Sequence, residues 1–176
     1  MATETCVLGG GCFWCLDASF RLVEGVEQVV SGYAGGHDPA PSYEAVCRGT
    51  TGHAEVVELT YDPAVIGFRD LLRIFFALHD PTTLNRQGND VGTQYRSVIL
   101  ALSEAQAQQA RDMIAEMADD YTDPVVTEVA PLEAFHPAES YHQDYFTKNP
   151  GNAYCQFVIS PKRHKLAQRF GDRLKG

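Results

Sequence analysis

Three consecutive glycines, Gly9-Gly10-Gly11, constrain this chain more than any other feature of its sequence. They follow the short apolar run 5–8, which is typical of a buried strand, and glycines permit a sharp turn of the backbone. From Cys12 to Val23 apolar side chains recur at helical spacing, and this pattern ends before Gly25. The sequence therefore predicts a strand, a tight turn and a helix that begins at Cys12.

The later apolar patterns switch between the strand period and the helix period. Strands are predicted over residues 26–33, 53–61, 95–102 and 125–129. Helices are predicted over 68–78, after a capping box at Ser103 and Gln106, over 138–147, and after an N-cap at Ser160 that precedes Pro161. This mixture predicts an α+β fold, and the length of 176 residues suits one domain over residues 1–176.

Two stretches, 32–52 and 81–94, are rich in glycine and polar residues and predict long irregular loops. Long loops in compact domains are usually functional. The first loop leads into Glu55, which alternation places on the apolar face of the strand 53–61, and the second leads into Tyr95. We therefore expect these loops to form walls of a functional site.

Composition excludes several classes of protein. No apolar run reaches the about 18 residues that a membrane span needs, and the chain begins without a signal-peptide pattern, so a cytoplasmic location and no membrane partner are expected. The five cysteines are an odd number, which argues against a disulfide framework. A net charge of −9 argues against binding of nucleic acid. A monomer is expected.

Cys12 is the candidate nucleophile. Free N–H groups at a helix start favour a thiolate, so Cys12 should be activated there and Cys15, one turn later, should be less activated. Three alternatives stay open at this point. The thiols could be buried packing residues; Cys-x-x-Cys could hold zinc, although no second ligand pair completes a site; or the pair could be a thioredoxin-like dithiol.

A wider pattern of sequence blocks extends from about residue 6 to 159. The blocks are Gly11-Cys12-Phe13-Trp14, 31–36, 42–47, 51–55, 85–97 and Tyr141-His142-Gln143. Together and in this order they resemble the A-type peptide methionine sulfoxide reductases. The resemblance implies a two-layer α/β sandwich around a mixed sheet with a ferredoxin-like core. It also implies reduction of the S epimer of methionine sulfoxide, free or in proteins, with thioredoxin as reductant and no cofactor or metal.

Individual roles follow from the same resemblance. The matched residues are Cys12 as nucleophile, Glu55 as acid, Tyr43 and Tyr95 as hydroxyl donors, Asp90 as a polar contact, and Phe13 with Trp14 as the pocket for the substrate methyl group. A sulfoxide becomes a usable electrophile when its oxygen is protonated or strongly hydrogen-bonded, which suits an acid and two phenols. Burial of Glu55 on an apolar face would raise its pKa towards the working pH.

The resemblance further implies that Cys12 becomes a sulfenic acid, which a second thiol must resolve. Cys155 matches the family's resolving cysteine and would form a Cys12–Cys155 disulfide that thioredoxin reduces. Many relatives have glycine where this chain has Cys15, so Cys15 could resolve Cys12 directly. One helical turn strains disulfide geometry, and a mobile tail could approach, so Cys155 is preferred.

Overall fold

The fold is a six-stranded sheet with helices packed on one face, in a computed structural model that describes residues 2–175. The strands are β1 Glu4–Gly9, β2 Val26–Ala34, β3 Ala54–Tyr61, β4 Arg86–Gln87, β5 Asp90–Val91, β6 Val98–Ala101, β7 Glu128–Pro131 and β8 Phe135–Pro137. The helices are α1 Phe13–Phe20, α2 Tyr43–Cys47, α3 Phe68–Leu78, α4 Glu104–Met117, α5 Tyr145–Lys148 and α6 Ser160–Phe170. The α+β class predicted from the sequence is confirmed. Over residues 2–175, no helix has both the length and the apolarity that a membrane span requires.

The topology of the sheet brings three separate segments together at one end of β1. The strand order is β7-β6-β1-β3-β2-β8, and β6 and β7 are parallel while the other neighbours are antiparallel. Because β1 runs antiparallel to both β3 and β6, its carboxyl end meets the amino ends of both, and Gly9 pairs with Val98. The turn after β1, the start of β3 and the segment before β6 therefore lie side by side.

The two faces of β3 contribute to different apolar clusters, as its alternating pattern predicts. Val57, Leu59 and Tyr61 pack in the large cluster that contains the buried side chains of α1, α3 and α4. Ala54 and Val56 pack on the opposite face, against β2, β6 and the segment around β7 and β8. Each large apolar side chain buried in this way contributes about 1.5–3 kcal/mol, so the helix layer is held firmly against the sheet.

The predicted helix over 138–147 is wrong. A 3₁₀ turn at Ser140–His142 and the short helix α5 replace it, and between them Asp144 has a left-handed backbone with φ of 53°. Asp144 N–H donates a hydrogen bond of 2.8 Å to Asp17 Oδ2, and the Gln143 side chain donates to the backbone carbonyl of Ser31 at 2.9 Å. These long-range contacts outweigh a weak local preference for helix.

Three further boundaries differ from the predictions. Tyr95 ends a 3₁₀ turn rather than beginning a strand, which starts at Val98, and the strand predicted over 125–129 is shifted to β7. Ser160 is not an N-cap, because a π-helical segment at Cys155–Ile159 runs directly into α6. Helical periodicity does not reveal where a helix begins when the preceding turn is itself helical.

The two predicted loops contain more regular structure than expected. In the first, the Ser42 hydroxyl accepts a hydrogen bond from Ala45 N–H and begins α2, and in the second β4 and β5 form a hairpin. The Gln94 side-chain amide donates to the backbone carbonyl of Cys47 at 3.3 Å and joins the two segments. Both segments therefore form a connected wall beside the carboxyl end of β1.

Gly36 provides a test of how tightly the first segment is held. A Cβ atom at this position would lie 2.2 Å from the backbone nitrogen of His53 and 2.5 Å from the carbonyl oxygen of Thr51. We expect Gly36→Ala to lower the free energy of unfolding by about 1–3 kcal/mol, because neither backbone atom can move freely. Gly151→Ala is the matched control, since no atom lies within 4 Å of its Cβ position. Equal melting temperatures for the two variants would contradict this expectation.

Candidate active site

Cys12 lies between the glycine turn and the first residue of α1. It occupies the N-cap position with an extended backbone, φ −66° and ψ 130°, directly after Gly11, whose φ of 85° favours glycine. Gly11 N–H donates to the backbone carbonyl of Tyr95 at 3.2 Å, so the segment before β6 is fixed against this turn. The predicted strand, turn and helix around Cys12 are confirmed.

Cys12 and Cys15 are neighbouring buried thiols. Cys15 N–H donates a hydrogen bond to the Cys12 carbonyl at 3.1 Å. Burial raises the pKa of Cys12 well above its ordinary value, whereas the neighbouring Cys12 thiol lowers the pKa of Cys15 to about 7. Burial opposes the effect of a helix start on the pKa of Cys12, and the greater activation of Cys12 stays a prediction.

Glu55 is a buried carboxyl group next to the thiol pair. It is 1% exposed, and its Oε1 accepts a hydrogen bond of 3.1 Å from Phe13 N–H, the residue after Cys12. Burial raises the pKa of Glu55 to about 8, and the charges of Asp90 and Cys15 add to this effect. At neutral pH Glu55 is therefore a protonated acid with its second oxygen free to donate.

Tyr43 and Tyr95 lie around the same group. Burial raises the pKa of both phenols, and the charges of Glu55 and Cys12 raise them further, which places both hydroxyls in the electrostatic neighbourhood of these residues. Tyr43 begins α2, and the exposed thiol of Cys47 at the end of the same helix also raises the pKa of Tyr43. Both phenols stay protonated and can act as hydrogen-bond donors.

Aromatic rings form the wall on the other side of Cys12. Phe13 is fully buried, and its ring stacks on Tyr43 with centroids 6.4 Å apart. Trp14 is partly exposed and stacks on Tyr145 with centroids 3.7 Å apart. Of the two residues predicted to form the methyl pocket, Phe13 is fully buried and Trp14 reaches the surface.

His142 holds Trp14 in place. Its Nδ1 accepts a hydrogen bond of 3.0 Å from the Trp14 indole N–H, and its ring centroid lies 4.2 Å from that of Tyr43. Burial lowers the pKa of His142, so the ring is neutral and carries its proton on Nε2. This Nε2 is buried and has no hydrogen-bond partner among residues 2–175.

Asp90 and Cys155 both lie near Cys15. The Asp90 carboxylate accepts a hydrogen bond of 2.8 Å from the Tyr154 hydroxyl, whose oxygen lies 3.6 Å from Cys15 Sγ. Cys155 is fully buried at the start of the π-helical segment rather than in an irregular tail. Burial raises the pKa of Cys155, and the charge that acts on it is that of Cys15.

Sequence reasoning missed Tyr154, although it precedes Cys155 directly. No local period shows that this hydroxyl reaches back to Cys15, because the two residues are 139 positions apart. Beside Tyr154, a cavity of about 1330 Å³ opens between α3, α4 and α6 and is lined by Cys12 and Asp90. Within residues 2–175, no three His, Cys, Asp or Glu side chains are grouped to hold a metal ion.

Comparisons with known proteins identify the family to which this chain is similar. A family model described as peptide methionine sulfoxide reductase matches residues 4–174. A peptide methionine sulfoxide reductase MsrA of Chromobacterium violaceum is 56% identical, covering 98% of this chain and 99% of its own. The reduced form of Mxr1 from Saccharomyces cerevisiae superposes with a TM-score of 0.83 at 38% identity, covering 87% of this chain and 89% of that one. Mxr1 in complex with Trx2 matches with a TM-score of 0.59 at 26% identity, covering 81% and 84%.

Proposed function

The chain belongs to the peptide methionine sulfoxide reductase family, and from this membership we propose how its side chains reduce the S epimer of methionine sulfoxide, free or within proteins. Thiol-dependent reduction of methionine sulfoxide is the activity of the family and of this enzyme. The observation that carries the proposed mechanism is the buried acid Glu55, whose pKa is about 8, beside the thiol Cys12. A proton source and a nucleophile at one place are what a sulfoxide requires.

In the first step Cys12 attacks the sulfoxide sulfur as a thiolate. Cys15, whose pKa is about 7, is partly a thiolate at neutral pH and can accept the proton that Cys12 loses. The sulfoxide oxygen takes a proton from Glu55 and is transferred to Cys12. The substrate sulfur is reduced by two electrons and leaves as a thioether, while Cys12 is oxidised by two electrons to a sulfenic acid.

Tyr43 and Tyr95 donate hydrogen bonds to the oxygen as negative charge develops on it. Their raised pKa values keep them protonated, and donors fixed in place before the reaction stabilise such charge without reorganisation. Phe13 and Trp14 contact the methyl group of the substrate. Asp90 acts through Tyr154, to which it is hydrogen-bonded, rather than on the substrate directly.

A second thiol then converts the sulfenic acid into a disulfide, the role for which the sequence favoured Cys155. Thioredoxin reduces that disulfide, and the solved complex of the yeast relative with Trx2 supports this partner. The cycle needs neither a metal nor an organic cofactor, because thiols carry both electrons. A cytoplasmic location, which keeps free thiols reduced, and a monomeric state stay predictions.

We also infer that the four central strands form a ferredoxin-like core. The order β6-β1-β3-β2, with α1 following β1 and α3 following β3, supports this inference. The added strands β7 and β8 extend the sheet at its two edges. Such a core fixes the carboxyl end of β1, which carries Cys12, between β3 and β6.

A second candidate function is general dithiol–disulfide exchange. The Cys12–Cys15 pair at a helix start, with the pKa of Cys15 near 7, favours it. A general oxidoreductase of this kind should reduce the disulfides of insulin, and it would need no acid at Glu55. If wild type and Glu55→Gln reduce insulin at the same rate, and wild type does not turn over the sulfoxide, disulfide exchange is favoured over sulfoxide reduction.

The stereochemistry of the substrate tests the main proposal. We expect the enzyme, with dithiothreitol as reductant, to convert the S epimer of an N-blocked methionine sulfoxide to the thioether and to leave the R epimer unchanged. The chiral placement of the oxygen between Glu55 and the two phenols, with the methyl group against Trp14, permits one epimer only. Chiral chromatography measures how much of each epimer remains. Equal consumption of the two epimers would contradict this geometry.

A further inference from the structure

We propose that Glu139 is a positioning residue for sulfoxide reduction. Its carboxylate holds Tyr43, so that the phenol hydroxyl donates its hydrogen bond to the sulfoxide oxygen from one defined place. This inference rests on the reduction proposed above and deepens it, because it assigns what keeps one of the two oxygen donors in position. Glu139 acts through Tyr43 and not on the substrate itself.

The carboxylate of Glu139 binds two tyrosines at once. Its Oε1 accepts a hydrogen bond of 2.8 Å from the Tyr33 hydroxyl, and its Oε2 accepts one of 3.0 Å from the backbone N–H of Tyr43. Partial burial acts to raise the pKa of Glu139, but these two hydrogen bonds help to lower it, so the group is a carboxylate at neutral pH. Hydrogen bonds to a charged acceptor are roughly twice as strong as those between neutral groups.

Tyr43 depends on such a contact because the chain around it has little stability of its own. It is the first residue of a helix of five residues, and helices this short are marginal without tertiary contacts. Its half-buried ring lies against Phe13 and His142, with centroids 6.4 Å and 4.2 Å away. Ring contacts permit sliding, whereas a hydrogen bond to the backbone fixes the point from which the side chain extends. The contact with Glu139 therefore sets where the hydroxyl lies.

The backbone on both sides of Glu139 is fixed to β2. Ala138 N–H donates to the Ser31 carbonyl at 2.8 Å, and the Gln143 side chain accepts from Ser31 N–H at 2.8 Å and donates to its carbonyl at 2.9 Å. Between these two points, His142 N–H donates to the Glu139 carbonyl at 3.0 Å and closes the 3₁₀ turn. Glu139 is thus a rigid support, which matters because a misplacement of about 1 Å can cost about 100-fold in rate.

The hydrogen bond from Tyr33 connects this support to the acid. Tyr33 is fully buried and lies directly opposite Glu55 in the pairing of β2 with β3. Its ring packs against Phe13 with centroids 5.7 Å apart, and Phe13 also stacks on Tyr43. Burial raises the pKa of Tyr33, and the hydrogen bond to Glu139 raises it further, so the hydroxyl remains a donor. Glu139 therefore fixes Tyr43 relative to the strands on which the acid lies.

Glu139→Ala is the first test, because it removes both contacts. With dithiothreitol as reductant, we expect kcat for the S epimer to fall by about 10- to 100-fold and KM to change little, since the phenol acts mainly in the transition state. Glu133→Ala, which removes an exposed glutamate six residues earlier, is the matched control and should keep wild-type turnover. Circular dichroism and thermal unfolding establish that both variants are folded. A wild-type kcat in Glu139→Ala would overturn the proposal.

A double-mutant cycle shows whether Glu139 acts through Tyr43. Tyr43→Phe removes the hydroxyl but keeps the backbone N–H that Glu139 binds. In this background we expect Glu139→Ala to lower kcat by no more than about 2-fold, because no hydroxyl remains to be misplaced. A purely structural role would lower kcat by the same factor in both backgrounds. Equal factors would therefore contradict the inference.

Two conservative variants separate geometry from charge and serve even if Glu139→Ala does not fold. Glutamine at this position can accept from Tyr43 N–H and donate to the Tyr33 oxygen, so we expect Glu139→Gln to keep kcat within about 3-fold of wild type. Glu139→Asp keeps the charge but is shorter by one methylene group, so we expect its kcat to fall by about 10-fold. The opposite order, with Glu139→Asp active and Glu139→Gln impaired, would show that charge and not placement matters.

These readouts separate the inference from the function on which it rests. If wild type does not convert the S epimer, sulfoxide reduction itself is wrong and the inference falls with it. If wild type converts the S epimer and Tyr43→Phe lowers kcat, but Glu139→Ala does not, the reduction stands and the positioning role of Glu139 is wrong.

Discussion

Replacement of Cys12 by alanine is expected to lower turnover of the S sulfoxide by roughly 10⁴-fold or more, to the background rate. No other group in the site can accept the sulfoxide oxygen, because Cys15 lies deeper in α1 and Glu55 and the phenols act on the oxygen rather than on sulfur. The measurement is steady-state turnover with dithiothreitol. Thermal unfolding of the variant should stay cooperative, since Cys12 lies at the edge of the core.

Cys6→Ala is the matched control for that result. Cys6 is also buried, on β1 where it pairs with Leu59 of β3, and burial raises its pKa so that it stays a neutral thiol. We expect Cys6→Ala to retain turnover despite some loss of stability. Substantial activity in Cys12→Ala would show that another thiol is the nucleophile.

Replacement of Glu55 by glutamine is expected to lower turnover by about 10²–10⁴-fold, the usual contribution of a general acid. Glutamine keeps the shape of the side chain and an oxygen that can accept the hydrogen bond from Phe13, so the loss isolates the proton. Wild-type turnover should fall as pH rises through about 8, where Glu55 loses its proton. The variant should lack this limb of the pH profile, and Glu58→Gln on the same strand should keep it.

The same substitution should change how stability depends on pH. The pKa of Glu55 is raised from 4.5 to about 8, so between these values the folded chain holds a proton that the unfolded chain has released. Its stabilisation is complete below the unfolded pKa and is lost as pH rises through the window, by about 1.4 kcal/mol per pH unit. Urea unfolding of Glu55→Gln should show a smaller fall across this window than wild type. Parallel curves would show that Glu55 is ionised in the folded protein.

Local periodicity was sufficient to predict the part of the fold that carries the nucleophile. The glycine turn before Cys12 and the alternation along β3 are each decided by neighbours within a few residues, and both are confirmed. The segment 138–147 could not be predicted in this way. Its backbone is fixed by Asp17 and Ser31, more than a hundred residues away, and no local pattern records such contacts.

The candidate site could also be predicted only in part. The sequence blocks identify the residues around Cys12, but the relative acidity of the two thiols depends on how deeply each thiol is buried and on the groups beside it. The sequence shows neither, so the prediction that Cys12 is the more activated thiol could not take the burial of Cys12 into account. The contact of Tyr154 with Cys15 is equally hidden, because a long loop and a π-helical segment decide it.

Trp14 is the one tryptophan of the chain, and the structure places its indole between His142 and the ring of Tyr145. Its emission therefore comes wholly from the rim of the site. The protein therefore carries its own optical probe, and we expect the emission of the indole to change when the site is occupied and when the thiols beside it are oxidised.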